Sequence, residues 1–353
     1  MTGDDFEADP APSDPSFADR AYELFVAAHT GLPPQVQRNL FKAVGGLVGA
    51  GADVGRAWLN GQAKLITARK AAAVSDIKAK QKAANLITQR KAEVIAQGLL
   101  TSEPADRATQ YEAEISQREQ LIREDVLRLA LEQMEASPPK EDASAEIDGD
   151  WIFQFYKEAS KRSAEEFRLL FARILSGEMT RPGSFSIGTL QSLSRLTKPT
   201  AEAFQAFCNA SSTLGPPRVI ADPFGPASNN SLSEFGLSYP VLARLTEEGL
   251  VRSDFQEWQD VPRDPPILFE QAGTRLLIES IEGHPAASSA MVRISGPAFT
   301  NSGAELRQVV TMASSAEYLR KLSKWFLSNG VRLKRVIRIE AGRAFTEEIP
   351  PSA

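Results

Sequence analysis

The chain has 353 residues, of which 42% are hydrophobic and 24% charged, with a formal net charge of −5. That is the make-up of a globular protein of two or three domains, and it gives no global reason to expect nucleic-acid binding. The single cysteine, Cys208, excludes an intramolecular disulfide, and no run approaches the roughly 18 apolar residues needed to span a bilayer.

Residues 1–18 are acidic and rich in proline and serine, and are expected to be a disordered tail. They contain no apolar stretch of the kind a secretory leader needs, which together with the lone cysteine fits a cytoplasmic location. Residues 19–136 read as a helical region. Its first helix is expected over 17–29, and Pro33-Pro34 opens the next segment. Within that segment Gly45 and Gly49 are spaced four apart, a pattern that lets helices approach closely, on protein or in lipid. Gly49-Ala50-Gly51 with Gly55 is no nucleotide loop, because no strand precedes it and no Gly-Lys-Ser/Thr comes after it.

Residues 56–98 read as one long helix with nine basic side chains against two acidic ones. Lys64, Arg69, Lys70, Lys78 and Lys82, with Gly45 and Gly49, are the candidate contacts to an anionic membrane or another polyanion. Residues 99–150 reverse the balance, with fourteen acidic against five basic. An antiparallel helix pair with attracting faces is therefore expected, its narrow apolar stripe resembling a coiled-coil seam. Residues 137–150 read as an acidic, flexible linker.

Residues 151–212 hold the densest pattern. Trp151, Ile152, Phe155 and Tyr156 come after the helix start Asp148-Gly149-Asp150. Ser163 and Glu166 have the spacing of a capping box, and Phe167, Leu170, Phe171, Ile174 and Leu175 line one helical face behind it. Pro182-Gly183-Ser184 breaks the chain, and Ser186 caps a third helix carrying Ile187, Leu190, Leu193 and Leu196. The three helices are expected to form one compact unit.

The run Phe171-Ala172-Arg173-Ile174-Leu175-Ser176-Gly177-Glu178, then Pro182-Gly183-Ser184-Phe185-Ser186 and Thr189-Leu190, resembles the signature of a bacterial family of unknown function, domain number twenty-eight-oh-six. The likeness extends over residues 40–315, with one departure at Gly188, where an arginine is usual. More distantly, the chain is similar to the Abi-alpha group associated with abortive phage infection, which shares the leucine-rich helix pair and a Ser-Phe turn. The resemblance implies no catalytic residues. Trp151, Phe171, Arg173, Gly177, Glu178, Pro182, Gly183, Phe185 and Ser186 are its structural positions here.

Residues 213–353 change character, with proline-rich punctuation over 215–226 and short β stretches. Tyr239 to Val251 has the form of a winged-helix second helix, with Leu242 and Leu245 inward and Gly249 as left-handed cap. Next come a hairpin around Gln271-Ala272-Gly273, a strand at Met291–Ile294 and a Thr300-capped helix. Arg332, Lys334, Arg335 and Arg338 on a terminal strand are the candidate nucleic-acid contacts. Glu247 and Glu248 on the would-be recognition helix argue against a groove-binding role.

Catalysis has no visible constellation. His29 and His284 lie in unrelated contexts, no zinc spacing or nucleophile elbow is present, and no cofactor or small-molecule substrate is indicated. The sequence therefore implies a mainly α protein with a C-terminal α+β, winged-helix-like module. It is expected to be a non-enzymatic interaction protein, associating through its helices, with a phage-defence role and peripheral contact at the inner membrane. The alternative is a nucleic-acid-associated regulator using the C-terminal module.

Overall fold

The computed structural model describes residues 32–47, 103–214, 229–340 and 343–350. The first helix expected over 17–29, the basic helix 56–98 and the loop-rich stretch 215–228 lie outside them. The chain divides into two compact units, residues 1–184 and 185–353. The division falls inside the segment expected to be one unit, because its third helix packs within the second unit.

The described part of the first unit is helical: α1 (Pro34–Leu47), α2 (Pro104–Ala136), α3 (Gly149–Ala159) and α4 (Glu165–Thr180). Proline opens α1 and α2 at positions whose N–H has no helical partner in any case. The 33-residue α2 buries Ile122, Val126, Leu127, Ala130, Leu131 and Met134, all in its second half, against α4. Asp125 takes Arg128 at 2.5 Å and also reaches Arg168 across to α4. On the facing side Phe171, Ile174 and Leu175 are fully buried, and Phe171 meets Phe155 of α3 edge-on at 5.8 Å. Leu170 is only half-buried, at the margin of the expected face.

The expected capping box does not form. α4 starts after Ala164, which has no side chain to cap it, and Ser163 instead accepts a bond from Arg118 of α2 at 3.0 Å.

Residues 137–148, expected as a linker, form a mostly exposed strap anchored by buried Ala143 and Ile147. Asp142 Oδ1 accepts from the free N–H groups of Gln35 and Val36 at 2.8 and 3.2 Å, so it caps α1 from more than a hundred residues away. Asn39, fully buried, donates to the carbonyls of Ala145 and Met179 and accepts from Ile147 N–H. One amide thereby ties α1, the strap and the end of α4, and each of the three groups would cost about 1–3 kcal/mol if left unpaired. Gly46 explains how α1 lies so close to α3: a Cβ there would sit 2.3 Å from Ile152 Cγ2. Tyr156 completes the contact by donating to Ala43 O at 3.0 Å.

The second unit combines α5 (Ile187–Arg195), α6 (Lys198–Asn209), α7 (Tyr239–Glu247), α8 (Asn301–Arg307) and α9 (Ala316–Ser328) with two antiparallel sheets. One is a ribbon of β1 (Glu257–Pro262) and β4 (Met291–Gly296). The other has the order β2 (Ile267–Gln271), β3 (Thr274–Ser280), β5 (Val331–Glu340), β6 (Arg343–Glu348). An α+β layout is thus present. The expected hairpin turn is Ala272-Gly273, with φ of +46° and +82°, both in the left-handed region that a two-residue hairpin turn needs. Gly249 closes α7 at φ +74°, as its sequence position suggests. α9 buries Tyr318, Leu319, Leu322 and Phe326, and the sheet buries Leu276, Ile278, Val331 and Leu333. Phe299 receives Phe207 at 4.7 Å and Phe204 at 6.2 Å, fastening α6 onto the stretch before α8.

Candidate functional site: a groove at the motif helix

The motif residues divide by role. Trp151 and Phe171 are core, Trp151 stacking on Phe155 at 5.2 Å. Gly177 lies inside its helix, since α4 runs on to Thr180. Glu178 is therefore inside the helix and buried, where its Oε1 accepts the Gly183 N–H at 2.6 Å. Gly183 needs no side chain: its φ is +85°, and the turn carries Pro182, half-buried, just before it. A carboxylate clamped on its own turn is a structural acceptor. Arg173 is half-buried on the same helix.

In the second unit Phe185 is buried, and Ser186 caps α5 as expected, accepting from Thr189 N–H. The sequence missed Glu305 of α8. Its Oε2 accepts from Ser186 N–H, Ser186 Oγ and Thr189 Oγ1 at 2.6, 2.9 and 2.5 Å. It lies well over a hundred residues from them in the chain, so nothing local points to it. It puts a negative charge on the N-terminus of α5, where the helix dipole favours one.

The outward-facing side of the motif lines a groove of about 630 Å³ at the C-terminal ends of α2 and α4. Gln133, Lys140, Ser176, Gly177, Thr180 and Arg181 are among its walls. Its hydroxyls are turned inward: Thr180 Oγ1 donates to the Gly177 and Ser176 carbonyls, and Ser176 Oγ to Arg173 O. The rim carries exposed Lys140, Glu141 and Arg181 beside two helix ends whose carbonyl dipoles are negative. This arrangement offers hydrogen-bond and charge complementarity to a docking segment; it holds no nucleophile paired with a base.

The family description "Protein of unknown function (DUF2806)" matches residues 106–323. The chain belongs to that family. The match begins within α2, so the basic segment 56–98 precedes the DUF2806 region. It takes in the whole motif, the strap and the groove. No curated protein and no solved structure matches the chain.

The other expected contacts fare differently. Gly45 is buried in α1 on the protein side, while Gly49, Lys64, Arg69, Lys70, Lys78 and Lys82 lie outside the described residues. The basic strand is neutralised by carboxylates. Lys334 meets Glu279 at 2.6 Å, Arg335 meets Glu347 at 2.8 Å, Arg338 meets Glu340 at 3.4 Å and Arg332 approaches Glu348 at 3.8 Å. Arg338 also lies over the Phe345 ring at 4.5 Å. Three of these pairs cross between strands and the Arg338–Glu340 pair runs along β5, with Arg332 and Arg338 exposed and Lys334 and Arg335 half-buried. Cys208 is fully buried, and burial pushes its thiol up to about 12. His284 caps its own turn, Nδ1 accepting from Ala286 N–H. No described helix is long and apolar enough to cross a membrane.

Proposed function

We propose that the protein is a non-enzymatic interaction protein whose docking site is the groove between α2 and α4. The observation that carries this is the division of labour in the motif. Its buried carboxylate is consumed in holding a turn, while Gly177, Thr180 and Arg181 face a groove large enough for a peptide segment. The partner is a protein that offers an acidic group to Lys140 and Arg181 and backbone N–H groups to the helix-end carbonyls.

A role in phage defence or abortive infection is supported by the motif's resemblance to the Abi-alpha group. Contact with an anionic membrane, through Lys64, Arg69, Lys70, Lys78 and Lys82, is supported by the charge of residues 56–98 alone. α7, the left-handed Gly249, the β1–β4 ribbon and the capped α8 come in the order of a winged-helix-like unit, which we read as a protein-binding wing. The charge pairs on β5 favour that over nucleic-acid regulation.

Phage plating on cells with and without the protein tests the defence role, and two variants test the site. Glu178→Gln keeps an acceptor for Gly183 N–H, so protection is expected to survive it. A catalytic carboxylate would instead lose a hundredfold or more, on the order of what general acid–base groups supply. Lys140→Glu with Arg181→Glu is expected to abolish protection at unchanged melting temperature. Protection that persists in the charge-reversed protein removes the groove from the function.

A further inference from the structure

Arg307 ends α8 in the second unit, and it goes beyond the groove reading. Its side chain is 9% exposed, yet the guanidinium makes one hydrogen bond, from Nε to Ser211 Oγ at 2.5 Å. No carboxylate among the described residues forms an ion pair with it. Arg263 is the contrasting case. That guanidinium is equally buried but donates to three backbone carbonyls, those of Ser289, Asn329 and Ala286. Arg307 has no such cradle.

Ser211 and the polar groups beside it in the chain and in the β-bridge Ser212–Gln271 are already engaged. Ser211 Oγ donates to Cys208 O at 2.6 Å. The fully buried Gln271 is committed at both ends, donating to Asn209 O and accepting from Ser314 Oγ. Neither Nη atom of Arg307 belongs to the sealed, unpartnered atoms of the described residues, which are Gln35 Nε2, Arg123 Nε and Arg168 Nε. The free side of the fork therefore keeps a small accessible surface. Burial lowers the tendency of the Arg307 guanidinium to hold its proton; Cys208 and then the exposed Glu270 oppose this, Glu270 without bonding to it.

We propose that the Nη face of Arg307 is a binding site for a small oxyanion of the phosphate or carboxylate type. A planar guanidinium fork with two unused donor groups matches two oxygens of one such anion, and partial desolvation strengthens the pair. So little exposed surface suits a free ion or small metabolite and not a folded partner surface. Binding would join the end of α6, through Ser211, to the end of α8.

The test is thermal unfolding of the full chain in phosphate, in acetate and in chloride at matched ionic strength. Phosphate or acetate at about ten times its dissociation constant is expected to raise the midpoint by roughly 2–4 °C over chloride. Arg307→Lys, which keeps the charge but loses the fork, is expected to bind about tenfold more weakly. Glu270→Gln, which removes a competing negative charge, is expected to bind more tightly. A shift in phosphate alone identifies a tetrahedral ligand and a shift in acetate alone a carboxylate, and either supports the site. No shift with either anion, or the same shift in Arg307→Lys, overturns it. If Arg307→Lys does not fold, Glu270→Gln decides. Tighter anion binding supports the site, whereas lost stability without tighter binding makes Glu270 the resident counter-ion and overturns the proposal.

Discussion

Cys208 sits in α6 with no exposed surface, and burial moves its thiol from an ordinary 9.0 to about 12, with Arg307 pulling slightly the other way. In the unfolded chain the same thiol loses its proton near 9, so between those values unfolding releases a proton. The stability this contributes is whole below pH 9 and is lost as pH rises toward 12, at about 1.4 kcal/mol per pH unit. Urea midpoints measured from pH 8 to 10 should fall above 9, and Cys208→Ala should flatten that fall. The residues that a sequence reveals are those whose partners are close by. Ser186, Thr300 and Asp148 were identifiable as caps because each bonds an N–H within three residues of itself. Asp142, Asn39 and Glu305 do the same kind of work on groups 106 to 140 residues away, and no local pattern marks them.

Among the elements, α2 is two helices in energetic terms. From Ile122 onward it is packed on α4, and before that it is solvated on almost every side, with Tyr111 66% and Leu121 59% exposed. Helical propensity alone holds a stretch of that length only marginally. Amide exchange should therefore be fast over residues 104–118 and slow over 122–134, a contrast of at least two orders of magnitude, on the order of what a few kcal/mol of packing confers. Uniform protection along α2 would show that its first half is covered. Periodicity located α3, α4, α5 and α7 and the β2–β3 hairpin well, because each buries one face at a regular spacing. It failed at residues 137–148, where composition suggested a loose linker and Ala143 and Ile147 are buried. Two apolar anchors spaced four apart among charges carry too little pattern to be seen.

At the level of the whole molecule the division lies between Ser184 and Phe185. The sequence placed boundaries at 150 and 212 instead, because the three amphipathic stretches of the motif are adjacent in the chain. Proximity in sequence did not decide the matter. α5 is clamped by Glu305 and packs on α8, so it belongs to the C-terminal unit. Fragments 1–184 and 185–353 should each unfold cooperatively in urea, whereas cutting at 212 should leave 213–353 without the helices that cover Phe299, and that piece should not fold. A cooperative transition from 213–353 would refute this division.

The three bonds of Asn39 have a consequence for the order of events at the ribosome. Its acceptor on Met179 is made 140 residues after it, so α1 emerges long before its set of partners is complete. At translation speeds of about 5–20 residues per second, that interval is roughly 7–28 s. Throughout it the apolar stripe of Val36, Leu40 and Val44 has at most part of its final cover on the nascent chain, which makes the N-terminal stretch a natural client of a chaperone during synthesis.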